Sequence, residues 1–167
     1  MRRMEIKKER TLDGNIYFIR AFPAFAAANL SGEIASLIFP IIGVVVPLLG
    51  GKGEGESVLD MDAEKAAPLL AEGLSGINGD KIESLLKKLL IKQSNISVQI
   101  QGSENAVVLT EELANELFCG DVQDMFILAW DVIQANFQRI FGKVSSLFGS
   151  LRQDRPGIVQ TFQNMAL

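Results

Sequence analysis

The chain has 167 residues, 48% of them hydrophobic, with a formal net charge of -4, one cysteine and no histidine. That length supports a single domain with a real core and room for a tail, and the charge balance argues against a nucleic-acid binder held by phosphate attraction. Without histidine, zinc sites, His-based dyads and triads, and neutral-pH switches lose their usual residue. The lone Cys119 has no internal disulfide partner, which fits a reducing compartment.

Residues 4–21 read as a β-hairpin. "EIKKERTL" and "NIYFIRAF" flank Asp13-Gly14, a dipeptide suited to the positive φ angles of a two-residue turn. Ile16, Phe18 and Arg20 alternate with Tyr17, Ile19 and Ala21, so both faces are partly apolar. The hairpin must pack on something, because two strands alone are marginal. Arg2, Arg3, Lys7, Lys8 and Arg10 are interleaved with Glu5 and Glu9 and read as a solvated strand face. No apolar segment follows them at signal-peptide distance, so secretion by that route is not expected.

Pro23 suits a first helical turn, and Ala24 to Leu30 are tolerable helix formers. Ser31 reads as the N-cap of a second helix. An uncharged run, "IASLIFPIIGVVVPLLGG", then extends over 18 residues from Ile34 to Gly51. A membrane span usually needs about 20 predominantly apolar residues, and here Pro40 and Pro47 interrupt the run. At helical spacing Ile34, Leu37, Ile38, Ile41, Ile42, Val45, Leu48 and Leu49 share one face. Ser36, Pro40, Gly43 and Pro47 share another. The expectation is two short helices divided near Pro40, serving as buried core or as a partner-binding surface.

"GGKGEGES", Gly50 to Ser57, is a surface loop or a hinge. It lacks the GxxxxGK[ST] pattern of a phosphate loop. Asp60 to Glu64 offers three carboxylates without EF-hand spacing, the ordinary composition of a helix N-terminus. Residues 62–75 read as helical around Pro68. Asp80 to Lys92 is a clearer helix, with Ile82, Leu85, Leu86, Leu89 and Leu90 on one face. Ile96 to Ile100 and Ala106 to Leu109 resemble a second hairpin. Thr110 caps a short helix that Gly120 ends.

Asp121 caps the most regular segment of the chain. Phe126, Ala129, Ile133, Phe137, Ile140, Val144, Leu147 and Leu151 recur every three or four residues. From Asp121 to Leu151 a helix would span about 46 Å, so either it breaks at Gly142 or Gly149, or its end projects toward another molecule. Asn136 within this stripe reads either as a polar-edge residue or as a register-fixing group. Cys119 has no histidine to activate it and reads as an incidental thiol. The pattern offers no catalytic, cofactor-binding or metal-binding set.

Three motifs stand out together: "LDGxxYxIRxFP" at Leu12 to Pro23, "ELFCGD" at Glu116 to Asp121, and "VIQANFQRIF" at Val132 to Phe141. Over roughly residues 5–148 the chain resembles the tail assembly chaperones of long-tailed bacteriophages and prophages, the corresponding positions being Phe118, Gly120, Asp121, Asn136, Phe137 and Phe141. The resemblance implies a non-enzymatic protein that binds the tape measure protein and helps recruit the tail tube protein. It implies action in the cytoplasm of the infected or lysogenic bacterial host and absence from the mature virion. The apolar content points to a homo-oligomer, the charge balance speaks against nucleic acid as a partner, and the interrupted uncharged run against a membrane. The alternatives are a structural tail component retained in the virion and a membrane-active, holin-like protein.

The expected architecture is α+β, mainly α-helical, with an N-terminal β-hairpin and a long C-terminal helix. Residues 1–151 form the domain, with the glycine-rich loop at 50–57, and residues 152–167 an irregular tail. Partner contacts are expected at Phe137, Phe141, Val144 and Phe148 on the long helix, and at Ile38, Ile41 and Val45 in the uncharged run.

Overall fold

The computed structural model describes residues 5–48, 62, 64, 65, 68, 76 and 78–153, with the side chains of 38–48 and 140–153 outside that description. Strands β1 (Ile6–Leu12), β2 (Asn15–Arg20), β3 (Ile96–Gln99) and β4 (Ala106–Val108) alternate with helices α1 (Ala24–Leu48), α2 (Gly79–Leu90), α3 (Glu111–Leu117) and α4 (Val122–Gln153). The fold is α+β, with an N-terminal hairpin and a long C-terminal helix as expected. The glycine-rich loop, most of the segment 62–75 and the tail beyond Gln153 lie outside the described residues.

The two hairpins join into one antiparallel sheet of order β1-β2-β3-β4. Asp13 (φ 46°) and Gly14 (φ 74°) both take positive φ at the first turn, as a twist-compatible two-residue hairpin requires. Asn15 Oδ1 accepts the Gln101 N–H at 2.9 Å, which ties the first turn to the loop after β3. The middle junction pairs Ile19 with Ile96 and Tyr17 with Val98. All four are buried and share one face of the sheet.

That face lies beneath α4. Leu128, Trp130, Val132 and Phe137 are fully buried there, with Leu89 and Leu90 from α2 and Leu30 and Ile34 from α1 completing the core. Tyr17 stacks on Phe118 with ring centroids 5.8 Å apart. Thr110 Oγ1 accepts the Leu113 N–H as the α3 cap, Asn78 Oδ1 accepts the Asp80 N–H at α2, and Gly120 takes φ 89° between α3 and α4.

One expectation needs correction, and one open alternative is decided. The stretch from Ala24 to Leu48 is one helix, not two divided at Ser31 or Pro40. Ser31 does not cap a helix start; its Oγ donates back to the Ala28 carbonyl at 2.7 Å, and Ser36 does the same to Glu33 at 2.8 Å. Satisfying the hydroxyl inside the helix removes the competition that makes serine a terminator. The long helix likewise runs through Gly142 and Gly149 to Gln153. Its 32 residues correspond to about 48 Å.

Candidate functional site

The first half of α4 is fastened to the rest of the fold by polar groups set within its apolar stripe. Asp131 is fully buried. It accepts hydrogen bonds from Lys8 Nζ and Arg10 Nε, and Arg10 Nη2 reaches Oδ1 at 2.9 Å. Lys8 also donates to Gln134 Oε1 at 2.8 Å, and Arg10 Nη1 to Glu64 Oε1 at 2.9 Å. The Arg10 guanidinium is held charged chiefly by its hydrogen bond to Asp131, against the opposing effect of burial. The basic strand is therefore not a solvated face throughout. Lys7 pairs with Glu5 at the surface, whereas Lys8 and Arg10 turn inward on the face shared by Leu12. A charge inside "FILAWDVIQ" was the signal for this, because a buried carboxylate requires cationic or donor partners.

One turn further along α4, Asn136 receives the backbone N–H of Phe22 on Oδ1 at 2.8 Å, and its Nδ2 donates to the Val132 carbonyl at 3.1 Å. Asn136 is thus a register-fixing group, but within the chain: it sets where the segment leaving β2 meets α4. Beside it Phe22 and Phe137 pack as tilted rings, centroids 5.7 Å apart. Phe137 is fully buried and belongs to this junction. Glu33 and Lys88 join α1 to α2 at 2.6 Å. Lys87 bridges Glu83 at 2.7 Å and Glu111 at 2.6 Å, joining α2 to α3, and these two carboxylates, Glu111 first, raise its pKa.

From the Phe22–Phe137 junction both long helices continue: α1 to Leu48 and α4 to Gln153. The remaining expected contact residues lie on these continuations, Phe141, Val144 and Phe148 on α4 and Ile38, Ile41 and Val45 on α1. Their side chains lie outside the described residues. Among the described residues no helix is long and apolar enough to cross a membrane.

Two exposed apolar features escaped the sequence reading. Phe25, in the first turn of α1, is 92% exposed. Strand β4 is exposed along its whole length, with Val107 and Val108 each about half open to solvent. The alanines around Phe25 carry no distinguishing signal, and the exposure of β4 depends on its position at the edge of a sheet assembled from distant segments. Cys119 is exposed, and no group of three or more histidine, cysteine or acidic residues among the described residues could hold a metal ion.

Neither a curated protein nor a solved structure matches the chain. A family model described as "Phage tail assembly chaperone protein, TAC" matches residues 13–149. This span takes in the hairpin turn, the Phe22–Asn136–Phe137 junction and nearly all of α4, and the chain belongs to the phage tail assembly chaperone family.

Proposed function

We propose that this chain binds the tape measure protein of its phage and helps recruit tail tube subunits, without catalysing a reaction. The observation that carries the reading is the Phe22–Asn136–Phe137 junction, from which two long helices continue with apolar positions at helical spacing. An amphipathic client helix fits against such surfaces. Phe141, Val144 and Phe148 on α4, and Ile38, Ile41 and Val45 on α1, supply the client contacts. Phe137 supports them from within the core.

The same reading places the chain in the host cytoplasm as an oligomer that leaves before the virion is complete. Residues 1–151 act as one domain. Co-expression with the tape measure protein tests the reading: the two co-purify if it is correct, and a folded chain that retains no tape measure protein overturns it. Mass spectrometry of purified particles separates a chaperone, absent from them, from a structural tail component.

A further inference from the structure

The two edges of the sheet differ in a way that specifies a partner. The β1 edge carries Lys7 and Glu9, follows Glu5, and has a register irregularity between Ile6 and Lys8. Charges and irregularities of this kind block strand addition. The β4 edge has no such protection. From Asn105 to Thr110 there is no charged residue and no proline, and all three strand residues are exposed.

The direction of the open hydrogen-bonding groups follows from the ladder. Leu109 N–H donates to the Ile96 carbonyl at 3.0 Å. In an antiparallel pair, bonded and non-bonded positions alternate. With the register Ser97↔Val108, Val98↔Val107 and Gln99↔Ala106, Val107 is turned toward β3. The N–H and C=O groups of Ala106 and Val108 point away from it, and nothing among the described residues pairs with them.

We propose that β4 pairs antiparallel with β4 of a second copy of this chain, about a two-fold axis at Val107, giving one continuous sheet across the dimer. The proposal rests on the oligomeric reading above and names the surface that makes the oligomer. In this register Ala106 of each copy faces Val108 of the other, so all four outward groups of each strand are used. Glu104 faces Thr110. Moving the axis to Val108 sets Glu104 against Glu112, and moving it to Ala106 leaves the outward groups of Val108 to the loop residue Glu104. Hydrogen-bond phase requires the axis to fall on a residue, and charge and the extent of the strand then select Val107. The two Val107 side chains meet across the axis at a non-bonded position, where Cα atoms approach to about 4.5 Å. Each β-branched side chain is covered by its copy.

Sedimentation of the full-length chain tests this, with tape measure retention measured on the same samples. The wild type sediments as a dimer. Val107→Lys, at an exposed position, places two cations face to face and raises the dimer dissociation constant by about tenfold or more. Val108→Pro removes an outward N–H while leaving the bonds to β3 intact, and weakens the dimer similarly. In a Cys119→Ser background, Val107→Cys gives a disulfide-linked dimer on mild oxidation. A monomeric wild type that still retains the tape measure protein overturns the proposal and the oligomeric clause but leaves the chaperone reading standing. An oligomer indifferent to Val107→Lys and without the Val107→Cys cross-link overturns the edge pairing alone.

Discussion

Arg10 on the first strand and Asp131 in the first third of the last helix form a two-point contact, with Nη2 2.9 Å from Oδ1 and Nε on Oδ2. The carboxylate is fully buried, and the Lys8 ammonium reaches it from the same side. This cluster sets α4 over the hairpin. Removing the carboxylate leaves two cations facing each other in a partly dehydrated space. Asp131→Ala is therefore expected to cost about 3–5 kcal/mol of folding stability, read as a lower denaturant midpoint. Replacing the whole cluster, as Asp131→Leu with Lys8→Met and Arg10→Met, recovers most of that loss, because an apolar replacement avoids the desolvation cost.

Asn136→Leu removes the acceptor for the Phe22 N–H and leaves that donor without its partner. The expected loss is about 1–3 kcal/mol. Hydrogen exchange at the Phe22 amide accelerates in the same variant, since this bond closes the chain entering α1.

The chain has a single tyrosine, so its phenolate absorbance reports one site. Burial, with smaller contributions from Asp124 and Asp13, raises Tyr17 from 10.0 to about 12. The folded state thus holds this proton more tightly than the unfolded state. Its contribution to stability is fully present below the unfolded value and is lost as pH rises from 10.0 toward about 12. Spectrophotometric titration of the folded chain should show the phenolate forming near pH 12, with the unfolded chain titrating near 10.0. Coincident curves contradict the burial.

Phe137 and Phe141 lie one turn apart yet are expected to respond differently. Phe137→Ala empties a fully buried position beside Phe22 and should lower stability by about 3–5 kcal/mol. Phe141→Asp should leave the thermal midpoint close to wild type and reduce retention of the tape measure protein. Equal loss of stability in both places Phe141 in the core as well.

Much of the local structure was legible in the sequence because local chemistry specifies it. Asp13-Gly14 marked the first hairpin, Thr110 the start of α3, and the three-to-four spacing from Phe126 the course of α4. The pairing of Ile19 with Ile96 was not legible, since alternation identifies a strand's faces without naming its neighbour. The inward turn of Lys8 and Arg10 was not legible on β1 alone, because mixed charge is ordinary on a surface; the signal lay far along the chain, in Asp131 on the helix packed over that face. Ser31 and Pro40 suggested a divided helix. The structure instead carries α1 past both, with the Ser31 hydroxyl satisfied on Ala28. Of the expected contact residues, Phe137 proved inseparable by pattern from its neighbours on the stripe, because periodicity marks an apolar face without saying where packing ends along it.

The most direct measurement is quantitative retention of the tape measure protein by the intact chain, comparing wild type with Phe141→Asp and Phe148→Asp at matched expression and thermal midpoint. The account predicts stoichiometric retention by the wild type and a loss of about tenfold or more in each variant, as expected when a charge enters a desolvated contact. No retention by the folded wild type contradicts the chaperone–client reading, and full retention by both variants contradicts the assignment of that contact to α4.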